Sequence, residues 1–189
     1  MNPIGAALSS LAAALERLGI PYLIGGSIAS SARGEFRATA DVDILAAIAA
    51  RHTEQLAREL GPDWYAEPEQ MKIAIAARRA FNVIHMKLGV KADIFPATEA
   101  FHEAQLERAT RMTLRFLDDS IHYPVASAED ILLVKLRRYK DGGGTSERQW
   151  RDIGGIVAGN PSMDIGYLDR WAASLGVAEL LARALREKP

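Results

Sequence analysis

The sequence predicts an α/β fold in which a small mixed β-sheet carries the functional residues and a helical portion forms the C-terminal end. Up to about residue 125, short apolar runs typical of buried strands alternate with segments of helical periodicity. After Pro124, every segment has helical spacing. We therefore expect a core over residues 1–125 and a C-terminal helical portion over residues 126–189 that packs on the core.

The core begins with an amphipathic helix over residues 4–18. Leu8, Leu11 and Leu15 recur at spacings of three and four residues, which places them on one helix face, and Gly19 ends the helix. The other elements of the core follow from short apolar runs and from the glycines and prolines between them. We predict strands at 22–24, 42–45, 81–86 and 90–95, helices at 27–33, 48–60, 67–78 and 98–109, a loop at 34–39, a hairpin turn at Leu88 and Gly89, and extended pieces at 112–117 and 121–125.

The helical portion is divided by residues that favour turns. Gly142, Gly143 and Gly144 form the most flexible connection, and Asn160 and Gly176 mark two further breaks. We predict helices at 127–140, 146–158, 164–174 and 177–187.

The composition excludes several classes of protein. A net charge of −1 argues against a protein that coats nucleic acid, and the absence of cysteine excludes disulfides and thiolate metal sites. The N-terminal residues lack the basic head and apolar core of a signal peptide, and no apolar stretch reaches the roughly 18 residues of a membrane span. We expect a cytoplasmic protein with no membrane partner.

A glycine turn follows the first predicted strand. Gly25, Gly26 and Ser27 lie between that strand and a short helix. Glycines let the backbone approach an anion closely, the first N–H groups of a helix can bind phosphate, and Ser27 adds a hydroxyl donor. The turn thus favours phosphate binding, but a strand-to-helix turn also needs glycine for backbone reasons alone.

Two aspartates open the second apolar strand. Because side chains alternate along a strand, Asp41 and Asp43 project from the same face, about 7 Å apart. Two carboxylates this close repel each other unless a cation lies between them, and burial makes them unfavourable unless they are paired or metal-bound. The alternative is a strand that begins with two solvated acids.

A third acid, Asp93, lies in the apolar strand at 90–95. If this strand neighbours the strand at 42–45, Asp93 joins Asp41 and Asp43 on one surface. Three carboxylates suit Mg²⁺ or Mn²⁺ rather than zinc, and they can hold two ions about 4 Å apart for phosphoryl transfer. Lys91 is either a cation at the rim of this site or a solvated lysine.

Lys135 interrupts an apolar helical run at 131–136. In this setting a lysine either extends its ammonium to solvent or holds a buried anion. Asp152 on the following helix either orients Lys135 or pairs with Arg148, four residues earlier.

Together these motifs resemble the DNA polymerase β-like nucleotidyltransferase superfamily. The superfamily pattern is matched in order by Gly26-Ser27, Asp41-x-Asp43 and Asp93. Two further motifs resemble those of the AbiEii-like toxin nucleotidyltransferases, namely Lys91-x-Asp93-Ile94-Phe95 and the set of Glu129, Lys135 and Arg151-Asp152. The resemblance covers roughly residues 22–45, 90–96 and 127–155, and the chain is shorter than most AbiEii-like toxins.

The resemblance implies a metal-dependent transfer of a nucleoside monophosphate from a nucleoside triphosphate to an acceptor hydroxyl, with release of pyrophosphate. It implies nucleotide binding by Gly25, Gly26, Ser27 and Lys135, metal binding by Asp41, Asp43 and Asp93, and a catalytic set of Asp41, Asp43, Asp93, Lys135 and Asp152. Some relatives are toxins of toxin–antitoxin pairs that act on the ends of transfer RNA. An RNA acceptor and a cognate antitoxin are therefore candidate partners.

Two other functions remain open. A non-catalytic nucleotide-binding module, antitoxin-like or regulatory, would keep the fold, but the three intact carboxylates argue against it. A glycosyltransferase would use the Asp41-x-Asp43 motif for a nucleotide-sugar metal, but this function leaves Ser27 and Asp93 without a role.

Overall fold

The structure is a computed structural model. It describes residues 2–33 and 41–187, and at Asp118 and Asp119 the backbone alone. The loop predicted at 34–39 lies outside the described residues.

The described strands form one seven-stranded mixed sheet. The strands are β1 (Tyr22–Ile24), β2 (Asp41–Ala46), β3 (Trp64–Tyr65), β4 (Phe81–His85), β5 (Val90–Pro96), β6 (Thr110–Leu114) and β7 (Asp118–Val125). Their order in the sheet is β3-β4-β5-β2-β1-β7-β6. Strand β2 pairs antiparallel with β1 and parallel with β5, while β1 pairs parallel with β7. The mixed sheet and the helices that follow it confirm the predicted fold class.

Helices account for most of the remaining described residues. They are α1 (Pro3–Arg17), α2 (Gly26–Ala32), α3 (Thr53–Leu60), α4 (Pro68–Ala76), α5 (Ala100–Arg108), α6 (Ala128–Asp141), α7 (Glu147–Gly159), α8 (Ile165–Ser174) and α9 (Ala178–Arg186). A single 3₁₀ turn at Ala50–His52 precedes α3. In this described part of the chain, none of the helices has both the length and the apolar character that crossing a membrane requires.

Helix α1 shows why the periodicity of the sequence was informative. The Asn2 side chain caps the helix by accepting a hydrogen bond from the Ile4 N–H at 2.9 Å. Leu8, Leu11 and Leu15 are fully buried, and α1 packs against β2 and β5. The apolar stripe therefore fixes the helix on the central strands.

Near their start, the central strands β2 and β5 have one apolar and one charged face. Val42 and Ile44 of β2 and Ile94 of β5 are buried. Because side chains alternate along a strand, Asp43 and Asp93 lie on the opposite face. The apolar core thus holds the strands in place while the acids remain on the other side.

The described residues form two compact units. Residues 2–28 and 41–126 make up the first unit, which contains the sheet. Residues 29–33 and 127–187 make up the second, whose core includes Leu132, Ile153 and Leu168 of three successive helices.

Four local features differ from the sequence-based expectation. The extended piece predicted at 112–117 is the strand β6, which ends at Leu114, followed by a turn at 115–117 that leads into β7. The helix expected from residue 48 begins at Thr53, after the 3₁₀ turn. Strand β3 was not predicted, since two residues are too few to show a period; it is held to β4 by pairing of Trp64 with His85. The hairpin turn between β4 and β5 spans residues 86–89, two residues longer than predicted.

Candidate active site

The register of β2 and β5 brings the predicted acids together. Asp43 lies directly beside Asp93, and Asp41 lies beside Lys91. Residues paired in register project from the same face of a sheet, so the four side chains form two adjacent rows. The strand adjacency that the three-acid hypothesis required is therefore present. We call Asp41, Asp43 and Asp93 the acid patch.

Lys91 is bound to the acid patch. Its Nζ lies 2.9 Å from Asp93 Oδ2 and 3.9 Å from Asp41 Oδ2. The side chains of Asp41, Lys91 and Asp93 are 52%, 40% and 20% exposed. The hydrogen bond to Asp93 is the main cause that raises the pKa of Lys91 above its usual value, and the attraction of the three carboxylates adds to it. Lys91 therefore stays protonated at neutral pH and offsets part of the negative charge of the patch.

Asn82 also belongs to this site, although the sequence analysis did not identify it. It pairs with Asp93 across β4 and β5, and its Nδ2 donates a hydrogen bond to Asp93 Oδ1. A two-residue turn at Leu88 and Gly89 would have placed Ile84 opposite Asp93. The longer turn shifts the register by two residues and brings the amide there instead. The only sequence signal was a polar residue inside the apolar run 81–86.

The glycine turn lies against the acid patch. The Gly25 N–H donates a hydrogen bond to the Asp43 carbonyl oxygen at 2.9 Å. Gly26 has a φ of +55°, and a Cβ added there would overlap the Asp43 carboxylate. Gly26 is thus required both by its backbone conformation and by the close approach of Asp43. The structure therefore brings the predicted phosphate turn, including the half-buried Ser27, next to the predicted metal ligands.

Lys135 and Asp152 meet in the second unit. Lys135 Nζ on α6 lies 3.4 Å from Asp152 Oδ2 on α7, and the two side chains are 21% and 18% exposed. Around Lys135, the α6 residues Ile131, Leu132 and Tyr139 are buried. Lys135 therefore holds a carboxylate at the edge of an apolar environment, and Asp152 is the partner that the sequence analysis proposed for it.

Two neighbouring acids hold the start of α6 to α8. Asp130 is buried, and it accepts hydrogen bonds from Ser127 Oγ at 2.8 Å and from the Tyr167 hydroxyl at 2.6 Å. Glu129 Oε1 accepts a hydrogen bond from the Asp164 N–H at 2.9 Å. Glu129, which belongs to the third motif of the resemblance, thus has a contact that connects two helices of the second unit.

The acid patch fits a hard divalent cation by the type of its donors. Carboxylate oxygens are the ligands that Mg²⁺ and Mn²⁺ prefer, and a neighbouring amide can add another oxygen. Within residues 2–33 and 41–187, no group of three or more His, Asp or Glu side chains is arranged to hold a metal ion. The Lys91 ammonium lies between Asp41 and Asp93, where it competes with any cation that binds these carboxylates.

Comparison with known proteins gives the fold a context. No protein-family model and no curated protein matches the sequence. An antigenic nucleotidyltransferase-like protein from Paracoccidioides brasiliensis is similar in structure, with a TM-score of 0.57 and 23% sequence identity over 98% of this chain and 93% of that chain.

The antibiotic-resistance factor ANT(2'')-Ia is also similar. Its solution structure gives a TM-score of 0.55 with 14% identity, over 95% of this chain and 94% of that chain. Its crystal structure in complex with adenylyl-2''-tobramycin gives a TM-score of 0.52 with 14% sequence identity, over 91% of this chain and 96% of that chain. These similarities do not test the AbiEii-like branch, which stays a prediction. The chain has a nucleotidyltransferase-like fold.

Proposed function

We propose that the protein is a nucleotidyltransferase that moves a nucleoside monophosphate from a nucleoside triphosphate to an acceptor hydroxyl. One observation carries the proposal: strand register places Asp93 beside Asp43, and the glycine turn is hydrogen-bonded to Asp43. A carboxylate cluster beside an anion-binding turn is the arrangement that phosphoryl transfer needs, and it occurs here within a nucleotidyltransferase-like fold.

In this proposal the turn and Lys135 bind the triphosphate. Gly25 and Gly26 let the backbone N–H groups approach phosphate oxygens, and the Ser27 hydroxyl donates a further hydrogen bond. Lys135 contributes positive charge, and Asp152 orients its ammonium through the contact between α6 and α7. Residues 1–125 serve as the nucleotidyltransferase core and residues 126–189 as the helical portion that supplies Lys135 and Asp152.

Asp41, Asp43 and Asp93 would hold Mg²⁺ or Mn²⁺. A divalent ion bound there neutralises the charge that develops on the transferring phosphoryl group. The acceptor oxygen forms a bond to the α-phosphorus, the bond from this phosphorus to the bridging oxygen of the β-phosphate breaks, and pyrophosphate leaves. Asp93 orients the acceptor hydroxyl and helps to remove its proton.

For the acceptor, we favour a small hydroxyl-bearing molecule. The structure of ANT(2'')-Ia in complex with adenylyl-2''-tobramycin aligns with 91% of this chain and over 96% of its own length. A chain of this size therefore suffices for a small-molecule acceptor. An RNA end, with a cognate antitoxin as partner, is the alternative that the resemblance to AbiEii-like toxins suggests.

The test is to follow a label from the α-phosphate. The purified protein is incubated with Mg²⁺ and each α-³²P-labelled nucleoside triphosphate, together with a small-molecule extract, total RNA or cell protein in separate reactions. We expect pyrophosphate release and label in the small-molecule fraction, and neither with the Asp41→Asn variant. Label in the RNA fraction would mean that RNA, and not a small molecule, is the acceptor, while the proposed reaction would still hold. Triphosphate binding without labelled product in any fraction would instead identify a non-catalytic module.

A further inference from the structure

We propose that Lys91 is a displaceable counter-cation that takes the place of a metal ion between Asp41 and Asp93 and sets the affinity of the acid patch for free divalent ions. This inference rests on the proposed function, since it concerns the same three carboxylates. It assigns to Lys91 a positioning role and not a contact with the reacting atoms.

Both oxygens of Asp93 are already engaged by donors. Oδ1 accepts a hydrogen bond from Asn82 Nδ2, and Oδ2 accepts one from Lys91 Nζ at 2.9 Å. The same ammonium reaches across the strand pair to Asp41 Oδ2 at 3.9 Å. A metal ion held by Asp41 and Asp93 would need oxygen atoms that Lys91 now contacts.

The Lys91 side chain is able to leave. It is 40% exposed, and its ammonium sits on a flexible four-carbon stem, so it can turn towards solvent without moving β5. The backbone of Lys91 stays fixed by its pairing with Asp41 and Ile84. Displacement therefore changes one side chain and leaves the register of the carboxylates intact.

A displaceable lysine lowers the affinity of the acid patch for a free cation when no nucleotide is bound. The incoming ion has to break the contacts of Lys91 with two carboxylates, and it then meets the repulsion of an ammonium that remains nearby. A nucleoside triphosphate changes this balance because it brings several negative charges, which offer the released ammonium a new partner. We expect metal and nucleotide to bind cooperatively, each strengthening the other by the same factor.

The test measures Mn²⁺ binding without nucleotide, by electron paramagnetic resonance of free Mn²⁺ and by calorimetry. The proteins are the unmodified chain and the variants Lys91→Met, Lys91→Arg and Lys87→Met. Lys87 is the matched control because it lies in the turn of the same hairpin and pairs with Asp63 at 2.8 Å, away from the acid patch. We expect Lys91→Met to bind Mn²⁺ about tenfold more tightly, the scale of one lost ion pair plus the relieved repulsion. Lys87→Met should bind as the unmodified chain does.

Lys91→Arg keeps the inference testable if Lys91→Met does not fold. A guanidinium binds carboxylates through two parallel hydrogen bonds, so this variant should bind Mn²⁺ no more tightly than the unmodified chain. Equal or weaker binding by a folded Lys91→Met, or tighter binding by Lys91→Arg, would overturn the inference.

Nucleotidyl transfer by the unmodified chain is measured in parallel. Transfer activity with equal Mn²⁺ affinities in all four proteins would refute the role of Lys91 and leave the proposed function standing. A chain that neither transfers nucleotide nor binds Mn²⁺ would refute both.

Discussion

Two charged groups of this molecule are built in different ways. The acid patch is set by backbone pairing, because the hydrogen-bonded register of β2 and β5 places Asp43 beside Asp93 whatever their side chains do. The pair of Lys135 and Asp152 depends on the packing of α6 and α7 and on the reach of a long side chain over 3.4 Å. A strand ladder therefore fixes the first group, and side-chain contacts fix the second.

This difference changes how substitutions should be interpreted. In the acid patch, a changed side chain leaves the backbone of its neighbours in position, so the loss of activity can be attributed to the charge that was removed. In the helical pair, removing one partner also alters a contact between helices. The two side chains are only about one-fifth exposed, so removing one charge leaves the other largely buried and unpaired and lowers the free energy of unfolding. A loss of activity there therefore has to be compared with the measured stability of the variant.

The largest loss of activity is expected for substitutions in the acid patch. Changing Asp41, Asp43 or Asp93 to Asn keeps the shape of the side chain and removes its charge, so transfer should fall by at least about a hundredfold, the scale of losing one essential electrostatic element. Circular dichroism should show a retained fold. Asp63→Asn, which alters an exposed ion pair with Lys87, is the control for loss of an acid. Near-normal transfer by Asp41→Asn would contradict the metal assignment.

A second substitution tests the turn that lies against the same group. Gly26→Val forces a β-branched residue to a φ of +55° and drives its Cβ into the Asp43 carboxylate, so it should lower the free energy of unfolding by about 1–3 kcal/mol and abolish triphosphate binding. Gly19→Val is the matched control: Gly19 also has a positive φ, of +64°, but it lies outside the turn with open space around an added Cβ, so this variant should lose stability and keep triphosphate binding. Calorimetry and urea denaturation measure both quantities. Unchanged triphosphate binding by Gly26→Val would mean that the turn is structural only.

The helical pair is tested by Lys135→Met. Methionine keeps the apolar packing of α6 but removes the charge, so the protein should fold while triphosphate affinity falls about tenfold and transfer declines. Lys140→Met removes a charge from the same helix, where Lys140 Nζ donates a hydrogen bond to the Gly176 carbonyl oxygen, and it should leave affinity unchanged. If Lys135→Met keeps full activity and melts at a higher temperature, the pair serves the packing of the helices alone.

The smallest effect is expected for Ser27→Ala. One hydroxyl donor is lost from the turn, so triphosphate affinity should fall about fivefold, equivalent to about 1 kcal/mol. Titration calorimetry beside the unmodified chain resolves this difference. An affinity equal to that of the unmodified chain would limit phosphate binding to the backbone N–H groups.

Much of the fold could be predicted because its patterns are local. The spacing of Leu8, Leu11 and Leu15 follows from 3.6 residues per helical turn, and the shared face of Asp41 and Asp43 follows from the alternation of side chains along a strand. Each of these patterns needs only the residues within a few positions. For the same reason the two-residue strand Trp64–Tyr65, which contains no period, could not be predicted.

The sequence by itself determined the fold class and the chemical character of the site. It identified Asp41, Asp43 and Asp93 as unusual acids in apolar strands and Lys135 as a cation in an apolar helical run. These are properties of single residues and their chain neighbours.

Only the tertiary structure decided how these residues meet. The parallel register of β2 and β5 placed Asp93 beside Asp43, and a hairpin turn of residues 86–89 placed Asn82 opposite Asp93. The same register put Lys91 between two acids, where the sequence left a rim cation and a solvated lysine equally open. Register is set by hydrogen bonds between residues distant in sequence and by the length of the connecting turn. A shift of two residues keeps the same apolar pattern on each face but gives every residue a different neighbour on the adjacent strand, so the sequence pattern does not reveal it.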